Sequence, residues 1–121
     1  MAKRVLVVDD QPLIREVQVM LLREAGYVAT ALSGGHEALA RLSDLRPDLI
    51  VLDMSMPGMD GAQFLRHLRA DAVWCDLPVI VATGLTAEEI EPVVQRDCDV
   101  LAKPFTDVAL LSTVRRLIGE A

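Results

Sequence analysis

Short apolar runs alternate with amphipathic segments along the whole chain, and this alternation limits the possible folds more than any other feature. The runs are rich in valine, isoleucine, leucine and alanine, which is typical of strands buried on both faces. Five strands are predicted, at Arg4 to Val8, Val28 to Ala31, Leu49 to Leu52, Val79 to Ala82 and Val100 to Ala102. Strands that alternate with helices in this way favour an α/β fold built on a parallel sheet.

The segments between the strands carry helix signals. A first helix is expected to begin near Pro12 and to stop at Gly26, which suits a left-handed C-cap. A second is predicted between Ser33 and Pro47, and a third after Asp60, which we interpret as a helix cap. The apolar residues expected to face the core are Leu13, Val17, Met20 and Leu21 in the first helix and Phe64, Leu65 and Leu68 in the third.

Two more helices are predicted in the last third of the chain. The fourth begins with a capping box at Thr86, but Pro92 removes a backbone hydrogen bond and should shorten or kink it. The fifth runs from Asp107 to Ile118 behind Thr106 as N-cap. Its predicted core residues are Val108, Leu111, Val114 and Ile118.

Length and charge restrict the classes of function. A chain of 121 residues fits one domain, expected to span residues 1–121. The formal net charge of −6 and the scattered cationic residues argue against direct binding of nucleic acid. Cys75 and Cys98 form no disulfide framework, and neither a signal peptide nor a membrane-spanning run is recognisable. We therefore expect a cytoplasmic protein without membrane insertion.

Polar residues follow four of the five predicted strands. Asp9 and Asp10 follow the first strand, Asp53 the third, Thr83 the fourth and Lys103 the fifth. Because the carboxyl ends of parallel strands meet at one edge of the sheet, these side chains should surround one cavity. Each pair of carboxylates there would repel by about 4 kcal/mol at an effective dielectric constant near 20, so the cluster requires a cation. A ligand set made only of oxygen atoms points to Mg²⁺.

Such a set of groups suits phosphoryl transfer, whose transition state is stabilised by positioned cations and hydrogen-bond donors. Asp53 is the candidate nucleophile, since an ionised carboxylate can form an aspartyl phosphate without a separate base. Asp9 and Asp10 would hold the metal. Thr83 would donate its hydroxyl to a phosphoryl oxygen, and Lys103 would neutralise the charge on another.

The chain resembles the receiver domain of two-component response regulators over essentially its whole length. The matching segments are Val7-Val8-Asp9-Asp10, the run from Leu52 to Gly61, Ala82-Thr83 and Lys103-Pro104-Phe105. The resemblance implies a flavodoxin-like (βα)5 sandwich, a five-stranded parallel sheet in the order 2-1-3-4-5 with helices on both faces. It also implies a signalling switch that accepts a phosphoryl group on Asp53 from a histidine kinase or a histidine phosphotransfer protein and then alters its binding to a downstream protein.

The resemblance implies finer details of the site. Asp10 would bind Mg²⁺ directly and Asp9 at least partly through water, while Asp53 and the backbone carbonyl of Ser55 would complete the metal site. The Lys103-Pro104 peptide bond would be cis. Such a domain is not an enzyme in the usual sense, because it catalyses only its own Mg²⁺-dependent phosphorylation and slow autodephosphorylation. At Val100 the family usually carries an aromatic residue that reports phosphorylation, so the route by which the signal leaves the site stays open.

Three rival interpretations are weaker. A haloacid-dehalogenase-like phosphatase would need a second acid where Ser55 stands, and a flavin carrier would need more than 3% aromatic residues. A receiver-like domain without phosphorylation chemistry would not need Asp53, Thr83 and Lys103 together. The sequence leaves open whether the domain stands alone or belongs to a longer regulator, which kinase serves it, and its oligomeric state.

Overall fold

The structure is a computed structural model that describes residues 2–84 and 98–121. Within these residues the chain forms β1 (Arg4–Val8), α1 (Pro12–Glu24), β2 (Val28–Leu32), α2 (Gly35–Leu45), β3 (Leu49–Asp53), α3 (Gly61–Ala70), β4 (Val79–Thr83), β5 (Asp99–Ala102) and α4 (Asp107–Ile118). The helix predicted to begin at Thr86 lies outside the described residues.

The five strands form one parallel sheet in the order β2-β1-β3-β4-β5, which confirms the predicted flavodoxin-like topology. Asp53 pairs with Ala82 across β3 and β4, and Thr83 pairs with Ala102 across β4 and β5. The carboxyl ends of these strands therefore lie level with one another. Asp53 and Thr83 are the last residues of their strands, one residue later than the predicted ends, because the backbone ladder continues through both polar residues.

Alternate residues of each strand face two separate cores. On β1, Val5 and Val7 belong to one apolar cluster, whereas Leu6 and Val8 belong to the other. The second cluster includes the fully buried Phe64 of α3, and the first includes Leu110 of α4. Helices therefore pack on both faces of the sheet. The strands that carry the site at their carboxyl ends lie between these helices and have little freedom to move.

The predicted inner faces of the first and last helices are partly wrong. Leu13, Val17 and Met20 of α1 are 77%, 49% and 52% exposed, and the buried residues of this helix are Gln18, Val19 and Leu22. In α4 the predicted core residue Val108 is also exposed, whereas Leu110 and Val114 are buried. Apolar residues occur on several sides of both helices, so more than one stripe has the helical period, and packing against the sheet selects between them.

Gln18 is a polar residue in the core, and it provides a test of the packing of α1. Its side chain is almost fully buried, and within residues 2–84 and 98–121 neither its amide nitrogen nor its amide oxygen has a hydrogen-bond partner. A buried group of this kind costs about 1–3 kcal/mol of stability, so Gln18→Leu is expected to raise the free energy of unfolding by a similar amount. Urea unfolding of the purified proteins measures the difference.

The matched control is Gln63→Leu. The Gln63 side-chain oxygen accepts a hydrogen bond from the Asp60 backbone N–H in the capping box of α3, so this variant should lose stability. A loss of stability in Gln18→Leu as well would show that the Gln18 carboxamide is satisfied in solution.

Candidate functional site

The carboxyl ends of β1 and β3 bring together three carboxylates. Oxygen atoms of Asp9, Asp10 and Asp53 all lie within 4.8 Å of one another. Asp9 and Asp53 are only 1% and 6% exposed, and Asp10 is half-buried. The sequence prediction that these residues meet at one edge of the sheet is therefore confirmed in its geometry.

Each polar group of Asp9 has a protein partner. Its backbone N–H donates to the Leu32 carbonyl at 3.2 Å, and its carbonyl accepts from Arg15 Nη1 at 2.8 Å. Its Oδ1 accepts from the Gln11 backbone N–H at 2.9 Å, and its Oδ2 lies 3.1 Å from Lys103 Nζ. The segment that carries the acidic pair is therefore held in place by hydrogen bonds and an ion pair to Asp9.

Asp53 is buried at the end of β3. Its Oδ1 lies 3.4 Å from Lys103 Nζ and 3.3 Å from the Ser55 backbone nitrogen. Burial raises the pKa of the Asp53 carboxyl and the nearby Asp9 carboxylate adds to this effect, whereas the Lys103 ammonium and the Ser55 N–H oppose it. An ionised Asp53 in this pocket is therefore poorly solvated and depends on nearby positive charge.

The raised pKa of Asp53 predicts a pH dependence of stability. In the folded protein Asp53 keeps its proton at pH values where the unfolded chain has already lost it, above the ordinary value of 3.8. Folding is therefore less favourable when the carboxyl must ionise, and stability is lost as the pH rises through this window. Compared with Asp53→Asn in EDTA, the parent should become less stable as the pH rises above 3.8 toward neutrality, until the folded carboxyl has also ionised. Urea unfolding across this range measures the difference, and a difference that narrows toward neutrality would contradict the prediction.

Lys103 reaches the carboxylates from the loop after β5. Its backbone N–H donates to the Thr83 carbonyl at 2.7 Å, and its Nζ lies between Asp9 and Asp53. The Lys103-Pro104 peptide bond is cis, as the resemblance implied. Thr83 is buried at the end of β4, one residue beyond the partner of Asp53. The four strand ends therefore deliver all the predicted side chains to one edge of the sheet.

Helix α3 begins directly against the strand that carries Asp53. The Gly61 N–H donates to the Met54 carbonyl at 3.1 Å. A Cβ atom at position 61 would lie 2.7 Å from Met54 Cα and 2.9 Å from the Asp53 carbonyl oxygen, so only glycine fits here. Asp60 caps the helix through a capping box with Gln63, which confirms its predicted role.

The carboxylate cluster fits a hard divalent cation. Asp9, Asp10 and Asp53 offer only oxygen atoms, and these atoms are close enough for one small ion to reach after modest side-chain rotation. The Lys103 ammonium already approaches two of the three carboxylates, which shows that the cluster attracts positive charge. These residues therefore fit Mg²⁺.

Comparison with known proteins decides the family. The sequence model of the response regulator receiver domain matches residues 5–115. The chain belongs to this family. The receiver domain is similar to the DNA-binding response regulator MtrA of Mycolicibacterium smegmatis, with 36% identity over 118 residues that cover 95% of this chain and 50% of MtrA. It thus spans about half the length of the curated relatives it matches.

Solved structures agree with this assignment. The receiver domain of a signal transduction histidine kinase from Syntrophus aciditrophicus has a TM-score of 0.89 and 36% identity, and the match covers 97% of this chain and 90% of that one. The receiver domain of a sensor histidine kinase from Pseudomonas aeruginosa PAO1 has a TM-score of 0.86 and 29% identity, covering 99% and 100% of the two chains. That structure has a magnesium ion coordinated in its active site cleft.

Two residues that were not predicted from the sequence also shape the site. Gln11 and Arg15 hold Asp9 through a backbone N–H and a guanidinium group, and neither was predicted to contribute. The only signal was the position of Arg15 near the start of the helix after the acidic pair.

Val100, which stands where the family usually has an aromatic residue, is 43% exposed on β5. Within the part of the chain that the structure describes, no helix has the length and hydropathy needed to cross a membrane.

Proposed function

We propose that this receiver domain accepts a phosphoryl group on Asp53 from a histidine of a histidine kinase or histidine phosphotransfer protein. The observation that carries the proposal is the position of Lys103 Nζ, 3.1 Å from Asp9 and 3.4 Å from Asp53. A buried acidic pocket with an ammonium group at its acceptor carboxylate can bind the oxygens of an incoming phosphoryl group.

The transfer requires little from the protein beyond positioning and charge. An Asp53 carboxylate oxygen forms a bond to phosphorus, while the bond between phosphorus and the imidazole nitrogen of the donor breaks. The electron pair of that bond returns to the imidazole. The residues that would hold Mg²⁺ are Asp9, Asp10, Asp53 and, through its carbonyl, Ser55, and the ion would supply positive charge beside the acceptor carboxylate.

Two side chains are proposed to respond to the phosphoryl group. The Thr83 hydroxyl would donate a hydrogen bond to one phosphoryl oxygen, and the Lys103 ammonium would pair with another. Because the Lys103 backbone N–H donates a hydrogen bond to the Thr83 carbonyl, a movement of either residue would shift the ends of both β4 and β5. We infer that this changes the surface offered to a downstream protein, which is how a charge-changing modification acts as a switch.

We infer that residues 1–121 act as one receiver domain in the cytoplasm and signal through a protein partner rather than by touching nucleic acid directly. The net charge of −6 supports the last point, since an acidic surface repels phosphate backbones. The DNA-binding response regulator MtrA is about twice as long as the matched region, so DNA binding by that protein is not transferred to this domain.

Intact-mass measurement tests the function. The parent protein is incubated with acetyl phosphate in the presence of Mg²⁺ or of EDTA. We expect a gain of one phosphoryl group with Mg²⁺ and at most a trace with EDTA. No gain with Mg²⁺, or an equal gain in both conditions, would refute a metal-dependent phosphoryl acceptor.

A further inference from the structure

Arg15 connects helix α1 to the segment that carries the acidic pair. Its side-chain Nη1 donates to the Asp9 carbonyl at 2.8 Å, and this contact is partly buried. Its backbone N–H donates to the Gln11 carbonyl at 3.0 Å. The residue therefore ties both its side chain and its main chain to the turn between β1 and α1.

The Asp9 carbonyl belongs to the peptide group that joins Asp9 to Asp10. A hydrogen bond to this oxygen fixes the plane of that peptide, and the plane sets the direction in which Asp10 leaves the backbone. Asp9 itself is held on its other sides by Leu32, Gln11 and Lys103. The hydrogen bond from the Arg15 guanidinium group therefore restricts the backbone one residue further along the chain, at Asp10.

We infer that Arg15 is a positioning residue for the divalent cation: its bond to the Asp9 carbonyl orients the Asp9-Asp10 peptide so that both carboxylates face Asp53. The inference rests on the proposed function, because it concerns the same metal site. Removal of a hydrogen-bond partner that orients a metal ligand typically weakens metal affinity by 10-fold to 100-fold.

Electrostatics and positioning predict opposite effects when Arg15 is replaced. A positive charge close to an acidic cluster repels an added cation, so its removal alone should strengthen Mg²⁺ binding. Loss of the orienting bond should weaken Mg²⁺ binding, because the ligands must then be ordered when the ion arrives. A weaker affinity in Arg15→Gln therefore cannot come from the change of charge.

Arg23 provides a matched control on the same helix. It donates to a backbone carbonyl from Nε at 3.2 Å and from Nη2 at 2.9 Å, and this carbonyl belongs to Ala29 of β2. Arg15 and Arg23 each lie six residues from the carbonyl that they contact. Arg23→Gln therefore removes the same charge and the same kind of bond, but not at the carboxylate cluster.

The experiment measures Mg²⁺ affinity by isothermal titration calorimetry for the parent, Arg15→Gln, Arg15→Lys and Arg23→Gln. We expect affinity about tenfold weaker in Arg15→Gln and unchanged or slightly stronger in Arg23→Gln. Arg15→Lys should fall between the parent and Arg15→Gln, because an ammonium group can restore part of the bond. Urea unfolding in EDTA should show similar losses for the two glutamine variants.

Phosphorylation by acetyl phosphate gives a second readout. In Arg15→Gln the Mg²⁺ concentration needed for the half-maximal rate should rise about tenfold, while the rate at saturating Mg²⁺ stays close to that of the parent. Affinity in Arg15→Gln equal to or tighter than that of the parent would overturn the inference and leave the proposed function intact. A parent protein that binds no Mg²⁺ would instead overturn the proposed metal site itself.

Discussion

Asp53→Asn is expected to abolish the gain of a phosphoryl group from acetyl phosphate, a loss of at least a hundredfold in rate. An ionised carboxylate offers an oxygen that attacks phosphorus, whereas the amide that replaces it is a poor nucleophile. The substitution keeps the shape of the side chain and removes a buried negative charge, so the fold should be retained. Intact-mass measurement in the presence of Mg²⁺ provides the readout.

Asp60→Asn is the control for this experiment. Asp60 lies seven residues after Asp53 at the start of α3, and asparagine caps a helix about as well as aspartate. This variant should gain one phosphoryl group as readily as the parent. A full mass gain in Asp53→Asn would show that another residue is the acceptor.

Gly61→Ala is expected to lower the free energy of unfolding by about 2–3 kcal/mol, because overpacking against rigid backbone cannot be relieved by a side-chain rotation. The added Cβ would lie 2.6 Å from Met54 Sδ, 2.7 Å from Met54 Cα and 2.9 Å from the Asp53 carbonyl oxygen. The strand end must shift to accommodate it, so phosphorylation should slow as well. Urea unfolding and the rate of mass gain measure the two effects.

Gly34→Ala separates this clash from the general effect of replacing a glycine. Gly34 is the N-cap of α2, and a Cβ built there meets no atom within 4 Å. Since alanine is a poorer N-cap than glycine, a loss of about 1 kcal/mol or less is expected, with no change in phosphorylation. Comparable losses in both variants would show that the close approach of α3 to β3 is not what requires glycine at position 61.

The sheet and the residues at its edge were predictable because strand signals are local. Each buried strand reads as an apolar run, and the first polar residue after it marks the edge, which located Asp9, Asp53 and Lys103. The inner face of α1 was not predictable in the same way. Val17 and Leu22 both fit a helical period, and only packing against the sheet decides that Leu22 is buried while Val17 is exposed.

The contacts that hold the acidic pair could not be read from the sequence. Arg15 acts on a backbone carbonyl, and Gln11 acts through its own backbone N–H, so neither contact depends on a recognisable pair of side chains. The close approach of Gly61, the first residue of α3, to Met54 is similar, since a glycine fits many backbone conformations and its presence alone does not indicate a close contact. The identity of a functional side chain can be read from the sequence, whereas the backbone contacts that orient it leave almost no sequence signal.

The Lys103 ammonium group between Asp9 and Asp53 also contributes to the net charge of the pocket. Three ionised carboxylates and one ammonium leave two formal negative charges, which one divalent ion cancels and one monovalent ion does not. A phosphoryl group with a charge of roughly −1.5 to −2 in place of the single charge on Asp53 would return the pocket to a deficit of positive charge. Phosphorylation would therefore move the pocket from a balanced to an unbalanced charge, and the excess negative charge would attract whichever nearby cationic group can still move.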